Sequence, residues 1–206
     1  MEVEAKFTLA ERVTPEQIET LGWGDYRLGE RQTIDQHDTF FDTAELALSR
    51  TRHAVRVREG HASLIVTLKG PGTVKGSIHS REEWETTTPS SAPEAWPTEI
   101  RAQLDKLIGP QKLQPLLQVH NLRRTWTIQH VDRIIGELAL DEGTIEANGQ
   151  QQPMHELEIE LKGGTNDDLH QLSELVQQQL PARPEAQSKF ARGLALLGLV
   201  KPEAAS

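Results

Sequence analysis

The stretch Glu2-Val3-Glu4-Ala5-Lys6 and the later run Glu156-Leu157-Glu158-Ile159-Glu160-Leu161-Lys162 both alternate charged and apolar residues with a period of two. In an extended chain that period sends successive side chains to opposite faces. Glu2, Glu4 and Lys6 therefore share one face, while Val3, Ala5 and Phe7 share the other. The later run sets Glu156, Glu158 and Glu160 opposite Leu157, Ile159 and Leu161. Two such strands side by side make a dense carboxylate field, and like charges on neighbouring strand positions repel.

The same device recurs with the opposite sign. Val55 and Val57 alternate with Arg56 and Arg58, giving a strand with one cationic face. Residues 63–69 turn Leu64, Val66 and Leu68 one way and Ile65, Thr67 and Lys69 the other, before Gly70-Pro71-Gly72 is expected to break the run. In an extended segment over 75–88, His79, Arg81, Glu83 and Glu85 share a parity. Another segment, 32–41, closes on an Asp42-Thr43 turn. Strands are expected at 116–129, carrying Arg123 and Arg124, and at 133–141, where Glu137 and Asp141 oppose Leu138 and Leu140. A turn near Glu142-Gly143, a short strand at 144–147, and a hairpin turn at Asn148-Gly149 complete the reading up to Glu156.

Helices are marked by caps and by apolar spacing. Thr14-Pro15-Glu16-Gln17 has the form of a capping box with proline in the first turn. Ile100, Leu104, Leu107 and Ile108 stripe a helix over 98–108, which Gly109-Pro110 stops. Thr165 or Asn166 caps a helix buried through Leu169, Leu172, Val176 and Leu180. The last helix, expected over 185–197, presents Lys189 and Arg192 one turn apart.

Taken singly, each strand fits an antiparallel sheet with one solvated face. Together they do not, because the charge signs are sorted by strand rather than mixed. A sheet closing on itself would turn these faces inward and leave the apolar faces for helices outside. The fold expected is α+β, mainly antiparallel β: a closed eight-stranded barrel enclosing a charged tunnel, with helices packed outside. Residues 1–200 read as one domain and 201–206 as a tail.

With 206 residues and a formal net charge of −9, the chain is long enough for a large core, and its charge argues against nucleic acid as a partner. It has no cysteine, which removes thiolate metal sites and disulfides. The N-terminus does not read as a signal peptide, and the longest apolar run, 193–200, is too short to span a membrane. The expected location is cytoplasmic, with no membrane partner.

A tunnel holding both carboxylates and Arg/Lys suits a polyanion bound with a divalent metal. Mg2+ or Mn2+ accepts oxygen ligands from carboxylate and phosphate alike. Arg can meanwhile bind phosphate oxygens two at a time. The matching chemistry is metal-assisted phosphoryl transfer. Neither a P-loop nor a dinucleotide-binding glycine motif occurs, and the eight histidines show no zinc-protease spacing. His79 alone shares the parity of the charged residues, where a simple polar contact suffices. Trp23, Trp84, Trp96 and Trp126 read as packing residues.

In order along the chain, these residues resemble the CYTH domains of the triphosphate tunnel metalloenzyme superfamily. E-x-E-x-K stands at Glu2, Glu4 and Lys6, F-D-T at Phe41-Asp42-Thr43, R-x-R at Arg56 and Arg58, and T-L-K ends at Lys69. R-x-E lies at Arg81 and Glu83, an arginine strand at Arg123, E-x-x-x-D at Glu137 and Asp141, E-x-E-x-E at Glu156, Glu158 and Glu160, and S-K at Ser188-Lys189. The resemblance implies that Glu2, Glu4, Asp141, Glu158 and Glu160 hold Mg2+ or Mn2+, with Glu156 assisting. It also implies that Lys6, Arg56, Arg58, Lys69, Arg81, Arg123 and Lys189 bind phosphates, while Glu83 and Glu137 orient cations or water. Attack by an activated water would cut tripolyphosphate into pyrophosphate and phosphate. Bacterial inorganic triphosphatases are the most similar members. Thiamine triphosphatase, class IV adenylate cyclase and a non-catalytic polyphosphate-binding module are the alternatives.

Overall fold

The computed structural model describes residues 1–60 and 63–200, so the expected tail lies outside the described residues. The strands are β1 (Glu2–Leu9), β2 (Tyr26–Leu28), β3 (Gln32–Asp42), β4 (Ala54–Glu59), β5 (Leu64–Lys75), β6 (Ile78–Thr88), β7 (Gln114–His130), β8 (Arg133–Ala147), β9 (Gln150–Leu161) and β10 (Ala182–Pro184). The helices are α1 (Pro15–Thr20), α2 (Ala47–Arg50), α3 (Thr98–Ile108), α4 (Asn166–Gln179) and α5 (Lys189–Leu196).

Strand order is β1-β6-β5-β4-β3-β7-β8-β9, and β9 pairs back onto β1, closing an antiparallel ring of eight strands. The short β10 adds to β1, and β2 to β7. Closure pairs each ring strand with two neighbours over at least part of its length, which shortens the exposed sheet edges. The period-two pattern then divides the molecule. Outward residues Phe7, Leu138, Leu140, Leu157 and Ile159 pack with Ile18 of α1 and with Leu169, Leu172 and Val176 of α4. Outward Val55, Val57, Val66 and Leu68 pack with Trp96 and with Ile100, Leu104 and Ile108 of α3. Burial of these faces supplies the main driving force for folding.

The fifth helix departs from the expected arrangement. Register sets Leu117 across from Phe40, and Val119 across from both Asp38 and Ile145, so these apolar residues face the interior at one end of the ring. Phe190 and Leu194 of α5 pack on them. Gly193 allows this approach, since a Cβ there would lie 2.4 Å from Leu117 Cδ2. Among the described residues, α1 to α4 cover outward faces and α5 covers inward ones.

Three local expectations change. Gly70-Pro71-Gly72 does not end β5: the register shifts between Lys69 and Gly72, and the strand continues through a bulge, where proline is tolerated. Glu142-Gly143 is not a turn but the middle of β8. Glycine is there for close contact, because a Cβ would fall 1.9 Å from the His120 carbonyl oxygen. The last helix begins at Lys189 with Ser188 as its cap, and β10 occupies the sequence just before. The capping box at Thr14 and the cap at Thr165 form, and Asn148 and Gly149 both take positive φ in the hairpin turn.

Candidate active site

The interior parity of each strand lines a cavity of about 540 Å³. Register decides which charges meet there. Glu4 is paired with Glu160 on β9, and Glu160 with Glu137 on β8, so three carboxylates stand abreast at one level of the wall. One step along, Lys6 is opposite Glu158, and its Nζ lies 3.5 Å from an oxygen of each of Glu4 and Glu158. On the other flank Glu2 is opposite Arg81, whose Nε donates to Glu2 and Nη2 to Glu4, both at 2.7 Å. Lys69 Nζ contacts Glu2 Oε1 and Glu83 Oε2, both at 2.9 Å.

These contacts set the local acidities. Burial opposes ionisation of Glu2, but Lys69 and Arg81 overcome it and hold its carboxyl well below the usual range. Glu83 goes the other way: burial, with the charge of Glu2 added, raises it against the pull of Lys69. Glu160 is also raised, by burial first, with Glu2 and Glu4 adding to it and Lys162 opposing. Lys69 itself is lowered by burial and by the nearby Arg56 and Arg81.

Arg56 and Arg58 are held by Asp38, a residue that sequence reasoning missed. Arg58 Nε and Nη2 donate to the two Asp38 oxygens at 2.7 and 2.8 Å, and Arg56 Nη1 donates to Oδ2 at 3.0 Å. Burial would raise the Asp38 carboxyl, yet Arg56 and Arg58 drive it far down. Its only sequence signal is that it shares parity with Gln36 and Phe40 in a mixed strand that also carries Asp35 and Asp42.

A second charge cluster lies deeper. Lys189 Nζ sits among Asp141 Oδ2, Glu156 Oε2 and Glu158 Oε1, at 2.8, 3.0 and 2.7 Å. Arg123 grips Asp141 through two hydrogen bonds of 2.8 and 2.7 Å and also touches Glu158. Asn121 donates to Asp141 Oδ1 at 2.9 Å, and Arg192 contacts Glu156. Burial alone would lower the Lys189 ammonium, but its three carboxylates raise it strongly. Asp141 and Glu156 are fully buried. Glu158, Arg123 and Lys189 line the cavity in front of them.

Over residues 1–194 the sequence matches the CYTH domain family. The chain belongs to that family. A Haemophilus influenzae relative named inorganic triphosphatase is 28% identical over 95% of this chain and 54% of its own length. The chain thus spans about half the length of that curated relative. Among solved structures, a Hippeastrum protein described as having a dominant triphosphatase activity superposes with a TM-score of 0.66 at 21% identity, covering 98% of each chain. A Pyrococcus horikoshii protein gives 0.60 at 18% identity, over 96% of this chain and 99% of its own. These structural likenesses establish the shared CYTH fold.

Within this CYTH tunnel, the two carboxylate groups differ in what they can still bind. Asp141, Glu156 and Glu158 each bring an oxygen within 4.8 Å of the others, but the Lys189 ammonium already lies among them. The row Glu4, Glu160 and Glu137 has fewer cation partners and lines the cavity. Adjacent like charges are unfavourable, and the row's all-oxygen donor set suits a hard divalent ion such as Mg2+ or Mn2+. The residues therefore fit a metal at that level. Facing them, Arg56 lines the cavity and keeps a buried Nε with no acceptor among the described residues. Arg123 faces inward, whereas Arg124 points outward to Glu142. His79 Nε2 donates to the Glu185 carbonyl, 2.7 Å away. Trp23, Trp96 and Trp126 are buried in the outer cores, and Trp84 packs against one of them.

Proposed function

We propose that this chain hydrolyses inorganic tripolyphosphate to pyrophosphate and phosphate, using Mg2+ or Mn2+ held by Glu4 and Glu160, with Glu2, Glu137 and Glu158 beside them. The observation that carries this reading is the Glu4–Glu160–Glu137 row lining one cavity of about 540 Å³ together with Arg56, Arg58, Lys69 and Arg81. The name of the Haemophilus influenzae relative supports it.

Arg56, Arg58, Lys69, Arg81, Arg123, Lys6 and Lys189 are suited to bind the phosphate oxygens and to align the chain along the tunnel. Positioning and charge stabilisation do most of the work in such transfers. When bound, a divalent cation supplies charge neutralisation and a more acidic water. A bond forms from water oxygen to the terminal phosphorus while the bridging P–O bond breaks, and pyrophosphate leaves against the arginine and lysine wall. Glu83, whose carboxyl is raised by burial and by the charge of Glu2, is the wall acid best able to hold the proton that water releases. Asp141 and Glu156 act through Arg123, Lys189 and Arg192 rather than by touching substrate.

One observation favours an organic triphosphate as a second reading. A cavity of about 390 Å³ adjoins the tunnel at Lys69, Arg81, Ser188 and Phe190 and is lined by Val74 and Leu194, room for a base or thiamine-like group. Product identification separates the readings. Tripolyphosphate giving pyrophosphate and phosphate supports the first. Preferential cleavage of thiamine triphosphate or ATP supports the second, and cyclic AMP with pyrophosphate indicates cyclisation. Calorimetric triphosphate binding with no product from any of them would leave a binding module instead.

A further inference from the structure

On the outside of the ring, away from the tunnel, three side chains of metal-binding type converge. His37 on β3 is directly across from His120 on β7, and Asp38, next to His37, points inward, so both imidazoles project from the outer face. Their rings stack with centroids 4.3 Å apart and planes at 12°. Asp35, two residues before His37, shares that face. Its Oδ1 lies 2.7 Å from His120 Nε2 and 3.8 Å from His37 Nε2. On the far side of His37, exposed Glu59 of β4 is its direct cross-strand neighbour.

A stacked pair of imidazoles needs no common acceptor. Here one ring nitrogen of each histidine and one carboxylate oxygen come within 4.8 Å of one another, and all three side chains are open to solvent. Bonds of about 2.0 to 2.1 Å to a tetrahedral ion set neighbouring ligands about 3.3 Å apart. The observed 2.7 and 3.8 Å bracket that spacing, and the two exposed imidazoles complete the site by swinging out of their stack so that both Nε2 lone pairs point at one ion. Two nitrogens and a carboxylate suit zinc and its late first-row neighbours, unlike the all-oxygen tunnel row. A net charge of −9 favours cation approach.

We propose that Asp35, His37 and His120 form a Zn2+ site on the outer wall, with Glu59 placed to add a further oxygen. Bound zinc joins β3 to β7 behind the Asp38 clamp, with each ring's proton on Nδ1 and Nε2 on the metal. The site is separate from the tunnel, on the opposite face of the same strand.

The test is calorimetric titration of the full chain with Zn2+, repeated with Co2+ by visible absorption, in the wild type and in His37→Ala, His120→Ala and Glu160→Gln. The expected result is a Zn2+ site weakened at least about 10-fold in each histidine variant, retained in Glu160→Gln, and giving Co2+ bands typical of tetrahedral nitrogen ligation. The histidines are exposed, and circular dichroism verifies that both variants keep the fold. Unchanged Zn2+ affinity in both histidine variants, or loss of the site in Glu160→Gln alone, would overturn the proposal.

Discussion

Asp38 and Arg58 form a two-point ion pair across β3 and β4, with Nε to Oδ1 at 2.7 Å and Nη2 to Oδ2 at 2.8 Å, and Arg56 joins at Oδ2. The aspartate is only 2% exposed, so its charge is what allows two guanidinium groups to sit together in the wall. Asp38→Asn keeps the shape and removes the charge. It is expected to destabilise the fold by about 3 kcal/mol and to weaken tripolyphosphate binding, as read by urea unfolding and calorimetry. The folded carboxyl is held far below its unfolded value, so its contribution is present above the unfolded pKa of about 4 and fades as pH falls towards the folded one.

Lys189→Met leaves Asp141, Glu156 and Glu158 packed together without their shared ammonium. Breaking a buried pair in this way costs about 3 to 5 kcal/mol. The pH dependence should flatten as well. In the wild type Asp141 is depressed, because Arg123 and Lys189 outweigh its burial, so acid removes stability. In the variant the crowded carboxylates are more easily protonated, so the loss of stability in acid is expected to be smaller than in the wild type. Urea unfolding of both proteins at several pH values reads the difference.

Gly143→Ala tests the close contact of β7 and β8. A methyl group there would meet the His120 carbonyl at 1.9 Å and Asn121 Cα at 2.9 Å, both backbone atoms that cannot swing away. The strands must separate beside Asp141, and a loss of about 1 to 3 kcal/mol is expected. A stability equal to that of the wild type would show that the ring is looser here.

How much of this was legible follows from what a period of two can carry. Parity along β1, β4 and β9 assigned Glu2, Glu4, Arg56, Arg58, Glu158 and Glu160 to one face, and closure turned that face inward. Register is non-local, so the sequence held no sign that Glu4 stands beside Glu160, or Arg58 opposite Asp38. Depth along the tunnel is equally hidden: Asp141 and Glu158 share an interior parity, yet Asp141 lies behind Lys189 while Glu158 borders the cavity. The Glu142-Gly143 pair resembled a turn because a glycine needed for strand contact and one needed for a bend look the same in sequence.

Tyr26 is the only tyrosine, so its ionisation can be followed without ambiguity. Burial and its hydrogen bond to Asp168, 2.9 Å away, push its hydroxyl up to about 12. A raised folded value means that the neutral phenol contributes stability in full below the unfolded pKa of about 10, and that this is lost as pH rises through the folded value. Ultraviolet absorbance of tyrosinate is expected to titrate near 12 in the folded protein, and lower in Asp168→Asn. An ordinary midpoint in the folded wild type would contradict the docking of β2 on α4.

The most direct measurement is phosphate release from tripolyphosphate with Mg2+ or Mn2+, with chelator, and in Glu4→Gln and Glu160→Gln. The expected result is turnover that needs the metal and collapses in both variants while their unfolding midpoints stay close to that of the wild type. No metal-dependent release from the wild type, or undiminished turnover in both variants, would contradict a catalytic role for the carboxylate row.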